Sequence, residues 1–224
     1  MSLFLKVSDI WKEYHGHPVL KGCSFSFDDG GIYVLMGHNG CGKSTFLRLC
    51  ALLENPDRGN VSYFSKGKPI KNDMELKRKI TLMLPDVGVF NTTVFNNAAY
   101  GLKIRGTEKD EIRERTNKVL DFVGLINKKD QNALTLSSGE TRRLGIARAM
   151  VIEPEALFLD EPTASVDQGN AEIIEDIILN ISSSPALSGS GKKTTVIIAI
   201  HDAVQAERLA AKVLILKDGR ITEK

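Results

Sequence analysis

Eight consecutive residues constrain this chain more than any others: Gly37-His38-Asn39-Gly40-Cys41-Gly42-Lys43-Ser44, with Thr45 next. They follow an apolar run at 32–36 and open a helical pattern at 45–53. Glycines at these intervals let successive backbone N–H groups turn inward around phosphate oxygens, and the helix N-terminus behind them adds positive dipole. In such a cradle Lys43 is expected to reach the β- and γ-phosphates and the Ser44 hydroxyl to coordinate Mg²⁺. Cys41 lies inside the loop. Either its thiolate is stabilised there and reacts before Cys23 and Cys50, or its sulfur turns away and is inert.

A strand–loop–helix unit of this kind needs a sheet around it. Short β-rich runs occur at 3–8, 23–27, 32–36, 60–64, 80–84, 156–160, 195–200 and 212–216. Helical spacing occupies 43–53, 94–104, 108–123, 138–152, 169–181 and 203–211. Alternation of the two predicts an α/β fold with a largely parallel central sheet. From 86 to 153 only helices are expected, which reads as a helical lobe inserted into a core of 1–85 and 154–224, all within one domain of 1–224. The Ser/Gly-rich stretch 182–192 reads as a surface loop.

A magnesium nucleotide also requires a carboxylate at the end of a neighbouring strand. Ala156-Leu-Phe-Leu-Asp160 supplies one and Glu161 follows it. Where the chain turns at a strand end, adjacent carboxylates can take different tasks: Asp160 to the Mg²⁺ shell, Glu161 as general base for water.

Composition excludes several alternatives. With 30 Lys plus Arg against 28 Asp plus Glu, a net charge of +2 gives no electrostatic footprint for nucleic acid. The apolar runs are strand-sized, well short of the about 20 residues that cross a membrane. Lys6 and Asp9 interrupt the apolar start, so no signal peptide is expected. Three unpaired cysteines argue against a disulfide scaffold or a metal knuckle.

A second anion-binding surface is written at Leu136-Ser137-Ser138-Gly139-Glu140, where Ser137 and the Gly139 backbone begin a helix. One nucleotide does not need two such surfaces. A two-fold dimer, in which this surface caps a nucleotide held by the partner's cradle, is the economical account.

With the cradle, this motif and the Asp160 strand in that order, the chain resembles an ATP-binding cassette (ABC) ATPase subunit over essentially its whole length. The resemblance implies a P-loop NTPase fold with a mostly parallel sheet, an N-terminal antiparallel β subdomain and an inserted helical lobe. It implies ATP and Mg²⁺ as ligands, held by residues 37–45 of one subunit and Ser137, Ser138, Gly139 and Glu140 of the other. Tyr14 resembles the aromatic that stacks on adenine, with Trp11 and Val19 as lesser candidates. Ala164-Ser-Val-Asp167 resembles the loop that meets the opposite cradle, and His201 the histidine that contacts the γ-phosphate.

Two departures stand out. Ser138 and Glu140 replace the usual Gly and Gln of the Leu-Ser-Gly-Gly-Gln signature; Ser caps a helix start well. Pro85 stands where a glutamine normally binds Mg²⁺ and its water, and proline has no side-chain oxygen and no N–H. Either Asp86 takes over as metal ligand, or the site works with one ligand fewer.

By resemblance, two copies dock on integral membrane permease subunits at the cytoplasmic face, peripherally, and an extracytoplasmic solute-binding protein completes the complex. Phe90, Val94, Phe95 and Tyr100 are candidate contacts for a permease helix, with burial in the lobe the expected fate of most. Local wording such as Cys50-Ala-Leu-Leu-Glu54 is similar to prokaryotic oxyanion importers of the tungstate type, ahead of phosphate, phosphonate, amino-acid or metal import. A soluble cassette acting on DNA or ribosomes, or a weakly hydrolysing regulatory cassette because of Pro85, are the competing classes.

Overall fold

The computed structural model describes residues 3–28, 30–183, 193–209 and 212–224. Most of the expected loop at 182–192 lies outside the described residues. Among the described residues ten strands form two sheets. The first is antiparallel, in the order β2 (His17–Phe27), β1 (Phe4–Tyr14), β4 (Arg58–Ser65), β5 (Lys68–Pro69). The second runs β10 (Arg220–Glu223), β9 (Lys212–Lys217), β3 (Gly31–Met36), β8 (Thr195–Ile200), β7 (Ala156–Asp160), β6 (Ile80–Met83). Every pairing in it is parallel except β9–β10.

Alternation along the central strands splits the core into two layers. Val34, Leu157, Leu159, Val196 and Ile198 point to one face and pack with α3 (Val94–Ile104), α5 (Ser138–Met150) and α6 (Gln168–Ser183). Leu35, Phe158, Ile197 and Ala199 point to the other, against α1 (Lys43–Cys50) and the antiparallel sheet. Both β7 and β8 are buried at every position, as strands covered on both faces must be.

Between β6 and β7, which are sheet neighbours, the chain runs through α3, α4 (Lys109–Phe122), two short 3₁₀ turns and α5. No strand lies in this stretch, only an isolated bridge from Thr93 to Asn132.

The structure lengthens or adds elements that are mostly polar. β1 and β2 form a hairpin far longer than the expected 3–8 and 23–27, turning at His15 and Gly16, both with positive φ. β10 pairs with β9 through the Asp218-Gly219 turn, also at positive φ. Gly219 then joins the sheets: its carbonyl accepts from Lys21 N (2.7 Å) and from the Cys23 thiol (3.1 Å). The short α2 (Met74–Lys77), capped by Asp73, is a further addition. Helix ends shift by one to three residues; α1 stops at Cys50 and the backbone reverses at Leu52, φ 58°.

Candidate active site

Strand order alone assembles the site. β3, β8 and β7 are adjacent and parallel, with Met36 opposite Ile200 and Ala199 opposite Asp160. The loops that leave their carboxyl ends, carrying Gly37–Ser44, His201 and Glu161, therefore emerge at one edge of the sheet, where α/β folds hold their ligands.

The loop after β3 has the geometry its glycines anticipate. Gly40 (φ 79°) and Gly42 (φ 107°) lie in the left-handed region, and Gly42 is the N-cap of α1. At Gly37 a β-carbon would come within 2.5 Å of the Cys41 sulfur and 2.6 Å of the Leu216 carbonyl oxygen, so no side chain fits there. Lys43 is buried, and its ammonium donates to the carbonyls of Gly37 (2.8 Å) and His38 (3.2 Å) and stands 3.6 Å from a Glu161 oxygen. His38, Asn39 and Gly40 are exposed on the loop, and the buried Thr45 follows Ser44 at the start of α1.

The two carboxylates diverge at the turn after β7. Asp160 is only 1% exposed, and one of its oxygens (Oδ1) has no hydrogen-bond partner. Burial pushes its carboxyl up, against the smaller downward pull of the Ser44 side chain and of Lys43. Glu161 takes a left-handed backbone (φ 49°), held by its N–H to the Ala199 carbonyl (3.0 Å), and turns its half-buried carboxylate toward Lys43. His201, exposed just beyond β8, lines an open cleft of about 470 Å³ together with Glu161, Thr163, Asp202, Gln205 and Arg208.

Tyr14 ends β1 at the hairpin tip. Its hydroxyl bonds the Glu54 carboxylate, and its side chain also reaches Thr45 beside the cradle. Val19 abuts the cradle as well: a β-carbon on Gly42 would meet it at 2.8 Å. Trp11 does not join them; its indole donates to Asp9 (3.1 Å) and lies over Gly22.

At the second surface Ser137, and not Ser138, is the cap of α5. Its hydroxyl accepts from Glu140 N (3.3 Å), and Glu140 reaches back to Ser137 N (3.1 Å), a complete capping box. Glu140 is further paired with Lys128 at 2.6 Å, which holds its carboxyl below the usual range. Gly139 is obligatory: a β-carbon would lie 2.2 Å from the Asn170 side chain, itself fixed by Asp167.

Asp86, the candidate ligand in place of the missing glutamine, follows β6 and Pro85. Asp86 is exposed, and its charge, like that of Glu161, acts on the desolvated guanidinium of Arg142. Arg142 of α5, on which both charges act, is a residue without a signal in the linear pattern.

All three cysteines are buried. The Cys41 sulfur is packed under Gly37, which supports the alternative in which it turns away and is inert. Timed N-ethylmaleimide labelling followed by mass spectrometry should show slow modification at all three. Rapid, nucleotide-protected labelling of Cys41 alone would contradict this packing.

Of the four apolar candidates beyond β6, Val94 is fully buried and Phe95 partly so. Phe90 (46% exposed) and Tyr100 (44%) remain at the surface with ring centres 4.8 Å apart, and the Arg148 guanidinium lies 5.6 Å from the Phe90 ring. Buried Asn97 pins this loop, accepting from Phe90 N (2.8 Å) and donating to Phe90 O (3.0 Å).

Comparison with known proteins agrees with this architecture. A family model described as ABC transporter matches residues 20–164. The tungstate uptake system ATP-binding protein TupC of Peptoclostridium acidaminophilum is 36% identical over 219 residues, 98% of this chain and 97% of that protein. The phosphate import ATP-binding protein PstB 2 of Natronomonas pharaonis is 32% identical, over 98% of this chain and 78% of its own. Among solved structures, cbiO1 of Clostridium perfringens, part of the ABC transporter complex cbiONQ, superposes with a TM-score of 0.85 at 29% identity, covering 99% of this chain and 88% of that one. The chain belongs to the ABC transporter family, as an ATP-binding subunit whose ATP hydrolysis is coupled to transport.

Proposed function

We propose that two copies of this chain sandwich two Mg–ATP molecules and drive import of an oxyanion of the tungstate type through membrane subunits on which they dock. The observation that carries the chemical part is the buried, half-unpartnered Asp160 beside Ser44 and Lys43. A buried carboxylate oxygen with no donor is costly unless a cation meets it. Ser44 and Asp160 fit a Mg²⁺ ion in chemistry and placement, and Pro85 leaves the set one ligand short. Bound there, Mg²⁺ would neutralise charge on the β- and γ-phosphates.

The protein's own groups then divide the work. Backbone N–H groups of residues 37–44 and the Lys43 ammonium hold the phosphates, Lys43 exchanging its carbonyl partners for phosphate oxygens. Glu161 takes a proton from the attacking water, and its strained backbone fixes the direction of its carboxylate. His201 donates to the γ-phosphate from the neighbouring strand end. Tyr14 stacks on adenine from the hairpin tip, with Val19 beneath. Ser137 and Gly139 of the second copy close the site.

Phe90, Tyr100 and Arg148 are the face offered to a membrane subunit, the chain lying peripherally at the cytoplasmic side in this reading; none of the described helices is long and apolar enough to cross a membrane. An extracytoplasmic solute-binding protein would deliver the oxyanion. The similarity to the tungstate uptake protein supports that solute, and the phosphate import relative marks the nearest competitor. Deleting the gene should abolish high-affinity tungstate accumulation, measured by mass spectrometry of cell metal, and leave phosphate uptake unchanged. Loss of phosphate uptake with tungstate intact would overturn the solute assignment.

A further inference from the structure

A hydrogen-bonded chain outside the cradle joins the loop of Glu161 to the helix that follows His201. Its centre is Glu175 of α6, a carboxylate 4% exposed. Arg208 of α7 (Ala203–Leu209) grips it with two donors, Nε at 2.7 Å and Nη2 at 2.8 Å. Gln205, also on α7, donates from one amide nitrogen both to Glu175 (2.9 Å) and to the Thr163 hydroxyl (2.8 Å). An ionised carboxylate accepts only, so Glu175 fixes which end of the Gln205 amide faces inward.

We infer that Glu175, Gln205 and Thr163 are positioning residues for ATP hydrolysis, holding His201 and the Glu161 loop in one fixed register. This rests on the reading of Glu161 as general base and His201 as γ-phosphate contact. The Arg208–Glu175 pair ties α7 to α6, and Ala206 and Leu209 share an apolar cluster with Ile174 and Ile178. The arm from Gln205 to Thr163 does something more, because Thr163 is two residues from Glu161 while α7 begins two residues after His201. Asp202 tightens that end by accepting from Val204 N (2.8 Å) and Gln205 N (3.0 Å). From the opposite side Arg142 of α5 donates to Ala164 O (3.1 Å), so the loop is tied to both flanking helices.

Displacement of a reacting group by about 1 Å can cost up to about a hundredfold in rate. Severing the arm is therefore expected to act on turnover and to spare nucleotide capture by the cradle. Thr163→Val and Gln205→Leu should each lower kcat for ATP by about tenfold, with KM within about twofold of wild type. The double variant should be no slower than the worse single, since both cut one link. Thr163→Ser, which restores the hydroxyl, should recover the rate that Thr163→Val loses.

The measurement is steady-state phosphate release by the full chain, with melting temperatures recorded alongside. A purely structural role would lower the melting temperature and leave kcat unchanged wherever the variants are folded; that result overturns the inference. So does an additive double variant. Glu161→Gln is the control for the underlying reading. Wild-type hydrolysis in that control removes the reading itself, whereas its loss together with full activity in Thr163→Val and Gln205→Leu removes only the positioning inference.

Discussion

Glu161→Gln is expected to lower ATP hydrolysis by about 10²–10⁴-fold, the range a positioned general base contributes, and to leave Mg–ATP bound. Lys43 keeps its two carbonyl donations at 2.8 and 3.2 Å without Glu161, and Ser44 and Asp160 are untouched, so the binding apparatus survives. The isosteric amide also preserves the left-handed turn at φ 49°, which depends on the backbone bond to Ala199 and not on the carboxylate. With cleavage removed and binding retained, nucleotide should accumulate between two copies. Size exclusion with light scattering should then show a monomer becoming a dimer on addition of ATP, dependent on the surface of Ser137 and Gly139. A monomer at saturating ATP, with binding shown independently, would count against the sandwich.

The sequence revealed the site better than its surroundings. Asp160, Glu161 and His201 sit at the ends of strands buried at every position, Gly37–Ser44 follow a strand buried at its four central residues, and continuous apolar runs are the easiest strands to read. The turn at Glu161 could also be anticipated, because two adjacent carboxylates cannot both continue a buried strand. The long β1–β2 hairpin was harder. From Trp11 to Val19 its residues are exposed or half-buried, and register shifts along β1 break the alternation a reader relies on. β10 carries a single apolar residue of four and was betrayed only by the Asp-Gly turn before it. Least legible were the ties across the fold. Thr163 meets Gln205 over 42 residues and Arg142 meets Ala164 over 22, separations at which no local periodicity operates. Asp86 shows the same limit: its place beside Pro85 marks it as a candidate metal ligand, while its effect on Arg142 arises from a helix that only the tertiary fold brings near.

Asp160→Asn should separate metal-dependent chemistry from nucleotide capture. The side chain is buried at the end of β7 with one oxygen unpartnered, and its carboxyl is pushed up by burial more than Ser44 and Lys43 pull it down. The charged form therefore carries a net desolvation cost, which a divalent cation at that oxygen would offset. Replacing the charge by an amide removes that attraction and leaves the cradle's N–H groups and Lys43 in place. Hydrolysis should fall by about a hundredfold or more, since loss of even an outer-shell partner costs metal sites 10–100-fold. Thermal unfolding supplies a readout independent of turnover. Ligand that binds only the folded state raises the melting temperature, and at a fixed concentration tighter binding raises it further. For the wild-type chain, ATP with Mg²⁺ should stabilise more than ATP with EDTA; for Asp160→Asn the two curves should coincide, each still above the nucleotide-free protein. Retention of the magnesium increment in the variant would mean that the cation is held elsewhere, and Asp160 would then have to be read as a structural carboxylate.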